Sequence, residues 1–502
     1  MELIKRALAR AFTRFEAVFE YAFGQSNTPF AWLGALGWYF YWIVAATGIY
    51  LYIFFDTGIT DAYASVEYMT HDQWYAAGVM RSLHRYASDA LVVVVVLHIF
   101  REFAFDRLRG RRFFAWLTGV PLLAFIYLCG ISGYWLVWDQ LAQYIAVATT
   151  EWLDTLPLFG EPIANNFLNS MTLGGRFFTL MVFIHIFGPL FMLLLMWVHI
   201  QRHSQAKVNP PRPLAIGTLA VLVVLSLVFP AISQGPADLD VVPTELGFDW
   251  FYLAVYPLLD VVPGGQLWLY LFAGFLVLAL LPWMPPARRV PAAAVNLDNC
   301  NGCTRCFDDC PFGAISMVPR SDGRAYDSEP IVNANQCTSC GICAGACPTS
   351  MPFRRSGPLQ AGIELPHRSI AKLREELLEG AQEARVLVFA CDTCDTTELG
   401  RGGAKVIRLP CVGMLPPSFV DFALARHHAA GVMIAGCAEG DCHHRLGNEW
   451  TIGRMARRRD PYLRQRVDER RLCLSWLPQG SARRRQRALA EFQVALAEID
   501  DE

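Results

Sequence analysis

The sequence predicts a multi-domain chain: an all-α transmembrane helical bundle of six spans, a small cysteine-rich α+β module, and a small α/β domain with a mainly parallel sheet. Two observations carry this prediction. Residues 1–285 are apolar and contain one cysteine, whereas the later residues are more charged and contain the other fourteen of the 15. The apolar part also contains two histidine pairs at equal spacing. We place the domains at residues 1–285, 292–356 and 384–495.

Length and composition agree with a chain that has a large membrane part. Its 502 residues are too many for one domain, the mean hydropathy is +0.29, and only 18% of the residues are charged. The formal net charge of −2 gives no electrostatic basis for binding nucleic acid. We therefore expect a membrane protein with no nucleic-acid partner.

Six stretches before residue 285 are long and apolar enough to cross a bilayer. The second is the least apolar, because Arg81, Arg85 and Asp89 lie within it. The six lie at 29–55, 76–101, 113–138, 177–200, 213–233 and 266–284.

The charges of the connecting loops predict the orientation of these spans. Loops 56–75, 139–175 and 234–265 contain no Lys or Arg but thirteen Asp or Glu, whereas the connection at 101–112 is rich in arginine. Loops rich in Lys and Arg stay on the cytoplasmic side. Both termini are therefore expected in the cytoplasm, with the chain in the cytoplasmic (inner) membrane of a bacterium. An even number of spans requires the same result.

The two histidine pairs predict two haem sites. His84 and His98 are fourteen residues apart, and so are His185 and His199. Fourteen residues are almost four helical turns, so both histidines of a pair share one helix face, roughly 21 Å apart along the axis. Two such helices face to face could hold two bis-histidine haems, one near each side of the membrane. Scattered core histidines would not be expected to repeat the same spacing.

Several motifs around these histidines resemble cytochrome b of the quinol-oxidising respiratory and photosynthetic complexes. They are the run LHRYASDALVVVVVLH, the tripeptide Gly133-Tyr134-Trp135, and the later DWFYL from Asp249. The likeness covers roughly residues 25–285. It implies two haems b, and the ligands of the outer and inner haems are then, respectively, His84 with His185 and His98 with His199.

The same resemblance implies roles for smaller residues and for two arginines. Glycines of that family let helices pass close to the haem faces, and arginines at the outer end of a span are suitable partners for haem propionates. The matching residues here are Gly34, Gly48, Gly119, Gly133, Arg81 and Arg85.

Quinone is the substrate that the resemblance implies. Where the family has Pro-Glu-Trp-Tyr, this chain has Phe248-Asp249-Trp250-Phe251. A carboxylate can still take a quinol proton, and we take Asp249, Asp139 and Tyr134 as candidate catalytic residues. His203 is a candidate for a quinone site on the inner face, so the face that binds quinone stays open. The chain contains no Rieske-type motif.

Two cysteine motifs follow the apolar part. Each has three cysteines at every third position and a fourth that is followed by proline, which resembles the bacterial ferredoxins with two 4Fe-4S clusters. In that family the fourth cysteine of each motif binds the other cluster. The resemblance therefore implies one cluster on Cys300, Cys303, Cys306 and Cys347 and another on Cys337, Cys340, Cys343 and Cys310.

The last domain is predicted from short β-branched runs that alternate with helical ones. The runs 385–389, 405–409, 431–435 and 472–476 are expected to form strands. Five cysteines lie at or just beyond the strand ends, where loops after parallel strands converge. They are Cys391, Cys394, Cys411, Cys437 and Cys442.

The stretches FACDTCD, LPCVGM and GCAEGDCHHRLGN resemble the iron-sulfur (delta) subunit of methyl-viologen-reducing hydrogenase. The resemblance implies a 2Fe-2S cluster on four of the five cysteines, without deciding which four, and zinc is the alternative. The remaining two cysteines, Cys129 and Cys473, are expected to be packing residues.

The order of these parts predicts electron transfer. The leading hypothesis is a membrane-bound oxidoreductase that carries electrons between the quinone pool and a cytoplasmic flavoprotein of the heterodisulfide-reductase type or a ferredoxin. The alternative is a non-enzymatic membrane anchor and electron relay, with the quinone site elsewhere, so enzyme activity itself stays open. A homodimer and a subunit of a larger complex are both compatible with the sequence. It does not decide the direction of electron flow, the quinone type or the partner.

Overall fold

The computed structural model describes residues 2–24, 27–109, 112–157, 162–163, 175–201, 207–284, 290–353, 358–478 and 481–501. The chain forms two compact units. The first consists of Met1–Ala31, Ala104–Arg112 and Pro285–Glu502, and the second of Trp32–Phe103 and Phe113–Met284. The first 31 residues and one interhelical connection, which the sequence placed in the membrane domain, thus belong to the compact unit of the cysteine-rich tail.

The described part of the chain before residue 285 is helical. Apart from α1, its helices belong to the second unit. They are α1 (Glu2–Phe23), α2 (Leu33–Phe54), α3 (Asp61–His71), α4 (Val79–Ala104), α5 (Phe113–Val137), α6 (Gln140–Asp154), α7 (Gly175–Gln201), α8 (Arg212–Val228) and α9 (Gly264–Leu280).

Four of the six predicted spans coincide with helices that are long and apolar enough to cross a membrane: Pro29–Phe54, Phe113–Val137, Phe178–Gln201 and Gly264–Trp283. The second prediction corresponds to α4, which has 26 residues but contains three charged side chains in its first half. The fifth corresponds to α8, an apolar helix of 17 residues. It ends at Val228 rather than near 233, because the residue before Pro230 is disfavoured in a helix. Six spans therefore remain a prediction, with four supported by length and composition.

The surface of the four apolar helices is suited to lipid. In the most apolar stretch of each of these helices, only 6% to 28% of the residues are buried inside the fold. Large apolar side chains such as Phe187, Leu190 and Trp197 are exposed. A soluble surface rarely carries apolar area on this scale, and we conclude that the chain is a multi-pass membrane protein.

The cysteine-rich module is built from two short antiparallel strand pairs and two short helices. Strand β1 (Ala294–Val295) pairs antiparallel with β4 (Ile363–Glu364), and β2 (Ile315–Pro319) pairs antiparallel with β3 (Ser328–Val332). Helix α10 (Arg305–Asp308) and helix α11 (Ile342–Ala346) each follow a residue with positive φ, which lets the chain turn sharply between two cysteines.

The last domain contains a four-stranded sheet of β5 (Val386–Cys391), β6 (Ala404–Leu409), β7 (Gly431–Gly436) and β8 (Leu472–Trp476). All four strands are parallel, in the order β6-β5-β7-β8. Both β5 and β7 are buried along their whole length, as expected for a parallel sheet covered on both faces. The predicted parallel sheet is confirmed. Its helices are α12 (Ile370–Glu383), α13 (Pro417–Ala425), α14 (Gly447–Met455) and α15 (Ala482–Asp501).

The module and the sheet share one hydrophobic core. Buried residues of the module, such as Ile342 and Ile363, belong to the same cluster as Phe389 and Val412 of the last domain. Helix α12, which precedes the predicted boundary at 384, also contributes Leu373 and Leu377 to it. These two parts of the tail therefore pack as one body.

Candidate functional site

The structure brings the four predicted histidines together in two pairs, each joining α4 to α7. The rings of His84 and His185 have centroids 6.4 Å apart, at an interplanar angle of 62°. The other two, His98 and His199, lie close enough to interact electrostatically. The pairing across helices is the one that the resemblance implied.

Each of the four predicted glycines faces one of these histidine rings. A Cβ at Gly133 would lie 2.9 Å from Cε1 of His185, and one at Gly48 would lie 3.0 Å from Cε1 of His84. At Gly34 and Gly119 the distances to Cε1 of His98 and His199 would be 3.5 Å and 3.4 Å. Glycine thus leaves room at all four rings, and this room is tightest at the His84–His185 pair.

Hydroxyl groups hold three of the four rings, and the sequence analysis missed them. Thr47 Oγ1 lies 3.1 Å from Nδ1 of His84, Ser132 Oγ lies 3.1 Å from Nδ1 of His185, and Thr118 Oγ1 lies 3.0 Å from Nδ1 of His199. Each of these residues directly precedes one of the glycines, so a Thr-Gly or Ser-Gly dipeptide is the signal that could have found them.

These contacts fit bis-histidine haem binding. The backbone oxygens of Val44 and Cys129 lie 3.0 Å and 3.1 Å from Nδ1 of His84 and His185. A carbonyl can only accept, so Nδ1 carries the proton and donates it. The lone pair then resides on Nε2, which is the arrangement of a metal-binding histidine whose other nitrogen is fixed by a hydrogen bond.

Both predicted propionate arginines have protein partners in the structure. The side chain of Arg81 donates to Thr70 Oγ1 and, over 2.9 Å, to Ser233 Oγ. The Arg85 guanidinium donates to Asp249 Oδ2 over 2.6 Å and to Asp89 Oδ2 over 3.1 Å. Contacts to haem propionates remain a prediction for both residues.

Two of the three candidate catalytic residues, Tyr134 and Asp249, contact each other. Tyr134 donates a hydrogen bond to Asp249 Oδ2, the oxygen that also accepts from Arg85. The Arg85 guanidinium lies 4.7 Å from the centre of the Tyr134 ring. Asp89, which the sequence analysis did not select as a site residue, is the second carboxylate on this arginine. Its spacing of four residues from Arg85 on α4 is the signal that could have found it.

Asp139, the third candidate, lies among backbone groups. It is the N-cap of α6, where Oδ1 accepts from the Ala142 N–H over 2.9 Å, and Oδ2 accepts from the Gln234 N–H over 2.9 Å. Both oxygens are therefore engaged in holding a helix end and a loop, as in a structural cap. These contacts give the catalytic prediction for Asp139 no support. His203 lies outside the described residues.

The eight cysteines of the module line two cavities in the groups that the resemblance implied. The first four-cysteine site contains Cys300, Cys303, Cys306 and Cys347 around one cavity. The second four-cysteine site contains Cys310, Cys337, Cys340 and Cys343 around the other. Each group combines three cysteines of one motif with the fourth of the other, which is the ligand exchange of a two-cluster ferredoxin.

The five cysteines of the last domain are also brought together, at the carboxyl ends of the strands. Cys391 ends β5, Cys437 follows β7, and these two adjacent strands mark the point where the strand order reverses. The sulfur atoms of Cys391, Cys394 and Cys437 all lie within 4.8 Å of one another. Side-chain hydrogen bonds connect Cys411 to Cys391 and Cys442, and Cys442 to Cys437. We call this group the five-cysteine site.

The electrostatics of the five-cysteine site fit a metal centre. Hydrogen bonds from Cys391, Cys394 and Cys442 hold the pKa of Cys437 well below its ordinary value. In contrast, hydrogen bonds with Cys391 and Cys437, together with burial, raise the pKa of Cys394 well above it. The protein alone therefore stabilises one thiolate at the expense of its neighbours, and several thiolates need a cationic centre among them.

Facing histidine pairs on α4 and α7 of a multi-pass membrane protein, together with grouped cysteines in its tail, define a membrane electron-transfer subunit. Comparisons with known proteins agree. Residues 23–206 match the family model of cytochrome b/b6/petB, residues 299–351 that of the 4Fe-4S dicluster domain, and residues 386–500 that of the methyl-viologen-reducing hydrogenase, delta subunit. The three predicted resemblances are confirmed. The first match implies haem b and the second implies 4Fe-4S clusters.

Among solved structures, the chain is similar to one from a structure titled "Hyperthermophilic respiratory Complex III". The identity is 20%, the alignment covers 55% of this chain and 81% of that chain, and the TM-score is 0.42.

Proposed function

We propose that this protein is a quinone-linked oxidoreductase subunit that carries single electrons between the membrane quinone pool and a soluble cytoplasmic redox protein. The proposal includes two haems b on the histidine pairs, two 4Fe-4S clusters on the four-cysteine sites and a 2Fe-2S cluster on the five-cysteine site. When bound, these groups supply one-electron chemistry, and the side chains described above hold them.

One observation carries the proposal: one chain combines facing histidine pairs, suited to haem, with three groups of clustered cysteines. Either feature alone is compatible with other functions, such as a haem protein or a soluble ferredoxin. Together they provide redox centres both in the membrane part and in the soluble tail of the protein. A chain that anchored a complex without relaying electrons would not need both sets of centres.

The cluster of Arg85, Asp89, Tyr134 and Asp249 is the best-supported place for quinol chemistry. Asp249 is 8% exposed, and its Oδ2 is oriented by two donors. A carboxylate so placed can accept a proton from a quinol hydroxyl, and Arg85 connects it to a second carboxylate on Asp89. We propose Asp249 as the proton acceptor, Tyr134 and Arg85 as the groups that orient it, and Asp89 as the next acceptor.

The contacts of the arginine-rich connection support a cytoplasmic position for the clusters. Arg107 Nη1 lies 2.5 Å from Asp441 Oδ1, and Arg112 Nη2 lies 2.6 Å from the backbone oxygen of His443. Both acceptors follow Cys437 in the segment of the five-cysteine site. A connection that the positive-inside rule assigns to the cytoplasm thus belongs to the same compact unit as the cysteines.

The test is quinone-dependent reoxidation of the purified, cofactor-loaded chain. The protein is reduced with dithionite, freed of excess reductant, and mixed with a water-soluble quinone analogue while the b-type absorbance is followed. We expect rapid reoxidation in the wild type and a rate about a hundredfold lower for Asp249→Asn, the size of a general acid-base contribution. The matched control is Asp240→Asn, an exposed acid of the same loop, for which no change is expected.

The outcomes separate the two functional hypotheses. If the wild type contains both haems but the quinone analogue does not reoxidise them, the enzyme hypothesis fails and the relay subunit is favoured. If Asp249→Asn reacts as fast as the wild type, the quinone reaction occurs elsewhere in the chain. A His98→Ala variant should lose haem absorbance without losing cluster iron, which checks that the two sets of centres are separate.

A further inference from the structure

The two four-cysteine sites differ in their relation to the five-cysteine site. Ile342, which lies between Cys340 and Cys343 and lines the cavity of the second four-cysteine site, is fully buried. Its side chain extends to the turn after Cys411, where a Cβ at Gly413 would lie 2.8 Å from Cγ1 of Ile342. The cavity of the first four-cysteine site is lined by module residues around Met317 and Pro330, and its Cys303 is exposed.

Glycines allow the module and the cysteine turns of the last domain to approach each other closely. A Cβ at Gly447 would lie 3.5 Å from Sγ of Cys442 and 3.5 Å from Cδ1 of Ile342, and it would overlap Sγ of Cys411. A Cβ at Gly345 of α11 would overlap the backbone oxygen of Gly413. Any larger residue at these positions would separate the helix of the module from the cysteine turns of the sheet.

A second contact lies on another side of the same cavity. Phe312, which lines it, has its ring centre 6.5 Å from that of His444, two residues after Cys442. Arg445 Nη1 donates to the backbone oxygen of Pro311 over 2.9 Å. The second four-cysteine site thus touches the five-cysteine site through two separate groups of residues.

A buried ion pair also connects the module to the last domain at this contact. Arg454 of α14 is 0% exposed and donates over 2.5 Å to Asp309, the residue before Cys310. It also donates over 2.8 Å to the backbone oxygen of Gly413. A buried guanidinium without its partner would be costly, so these contacts hold the two cysteine-bearing segments in a fixed relation.

We propose that the second four-cysteine site exchanges electrons directly with the five-cysteine site through the Ile342 contact, and that the first four-cysteine site exchanges with it only by way of the second. This order rests on the proposed electron-transfer function. The step moves one electron: one cluster is oxidised by one electron, the other is reduced by one, and no bond or proton changes. Arg454 and Gly345 are positioning residues in this scheme.

The test is electron paramagnetic resonance of the dithionite-reduced, cofactor-loaded chain, because paramagnetic centres in close contact broaden or split each other's signals. We compare Cys303→Ser at the first site with Cys337→Ser at the second. The interaction seen on the signal of the five-cysteine site should survive Cys303→Ser and disappear with Cys337→Ser. The reverse pattern, or a wild-type signal that responds to neither cluster, would overturn the proposal.

A second pair of variants keeps the test decisive if Cys337→Ser does not fold. Gly345→Ala should weaken the interaction, because its methyl group pushes α11 away from the turn at Gly413. Gly400→Ala is the matched control, since a Cβ there meets nothing within 4 Å. Equal interaction in both variants would contradict the proposal. Quinone plays no part in this measurement, so a chain that shows the interaction but fails to react with quinone would contradict only the proposed function.

Discussion

A buried arginine beside the five-cysteine site gives the sharpest prediction. Arg485 of α15 is 0% exposed, and its Nη2 donates to Cys394 Sγ over 3.6 Å. The same nitrogen donates to the backbone oxygens of Leu477 and Pro478 over 2.5 Å and 2.8 Å. The guanidinium is thus fixed by neutral acceptors and directs its charge at a cysteine sulfur. Replacing it with glutamine should lower the reduction potential of the cluster proposed for this site.

The size of the effect follows from Coulomb's law. A unit charge 3.6 Å from the guanidinium would gain about 4 to 5 kcal/mol at an effective dielectric constant of about 20. Reduction spreads the added electron over the whole cluster, so we expect roughly half of this, about 2 kcal/mol. That corresponds to about a 30-fold change in the reduction equilibrium, or about 90 mV for one electron.

The assay is a redox titration of the cluster signal, monitored by electron paramagnetic resonance, in Arg485→Gln and in Arg485→Lys. The lysine variant keeps the charge and should recover most of the potential. Arg487→Gln is the matched control, because Arg487 is on the same helix with its side chain 83% exposed and paired with Glu491. An unchanged potential in Arg485→Gln, at wild-type iron content, would refute the reasoning.

Three further predictions concern the haem pocket, the arginine-rich connection and a cysteine outside the three cysteine sites. Gly133→Ala should lose haem b absorbance, because the new methyl group would lie 2.9 Å from Cε1 of His185. Arg107→Ala should lower the free energy of unfolding by roughly 3 kcal/mol, measured by denaturant titration, because it removes the close ion pair between the buried Arg107 and Asp441. Cys473→Ala should leave the iron content unchanged, because that residue lies near the amino end of strand β8, whereas the five-cysteine site lies at the carboxyl ends of the strands.

Controls are available for the first two of these. Gly34→Ala places its methyl group at an ordinary 3.5 Å from its histidine and should retain haem. If it loses as much haem as Gly133→Ala, then helix packing and not the ring contact determines binding. The double variant of Arg107→Ala and Asp441→Ala should cost less than the sum of the single variants, since the pair is removed together. Strict additivity would show that the two side chains do not interact.

Where spacing alone is informative, the sequence predicted which of the candidate site residues the structure brings together. The positions of His84 and His98 on one helix face follow from the helical repeat, and the parallel sheet follows from its β-branched runs. The convergence of Cys391 and Cys437 follows from the topology, because the carboxyl ends of parallel strands lie at one edge. In each case a pattern in the sequence determines the geometry, so the contacts between distant residues need not be known.

Contacts between distant segments could not be predicted in this way. The pair of Arg107 and Asp441 joins residues 334 positions apart, and that of Arg454 and Asp309 joins residues 145 apart. Neither side of such a pair has a periodic pattern, and any of the chain's 45 acidic residues could have been the partner. For Asp139 the sequence suggested a catalytic role that its contacts do not support. A carboxylate near a predicted substrate site can equally be a helix cap, and only its contacts distinguish the two.

The tail is best understood as one folding unit, although its two parts resemble different families. Ile342 of the module has no exposed surface because the turn at Gly413 covers it, and full burial of an isoleucine contributes about 1.5 to 3 kcal/mol. Arg454 of the last domain in turn depends on Asp309 of the module for its buried charge. Cutting the chain between the parts would expose the first residue and leave the second unpaired. The shared core therefore does more than connect two cofactor sites: it fixes their separation, which a flexible linker could not do.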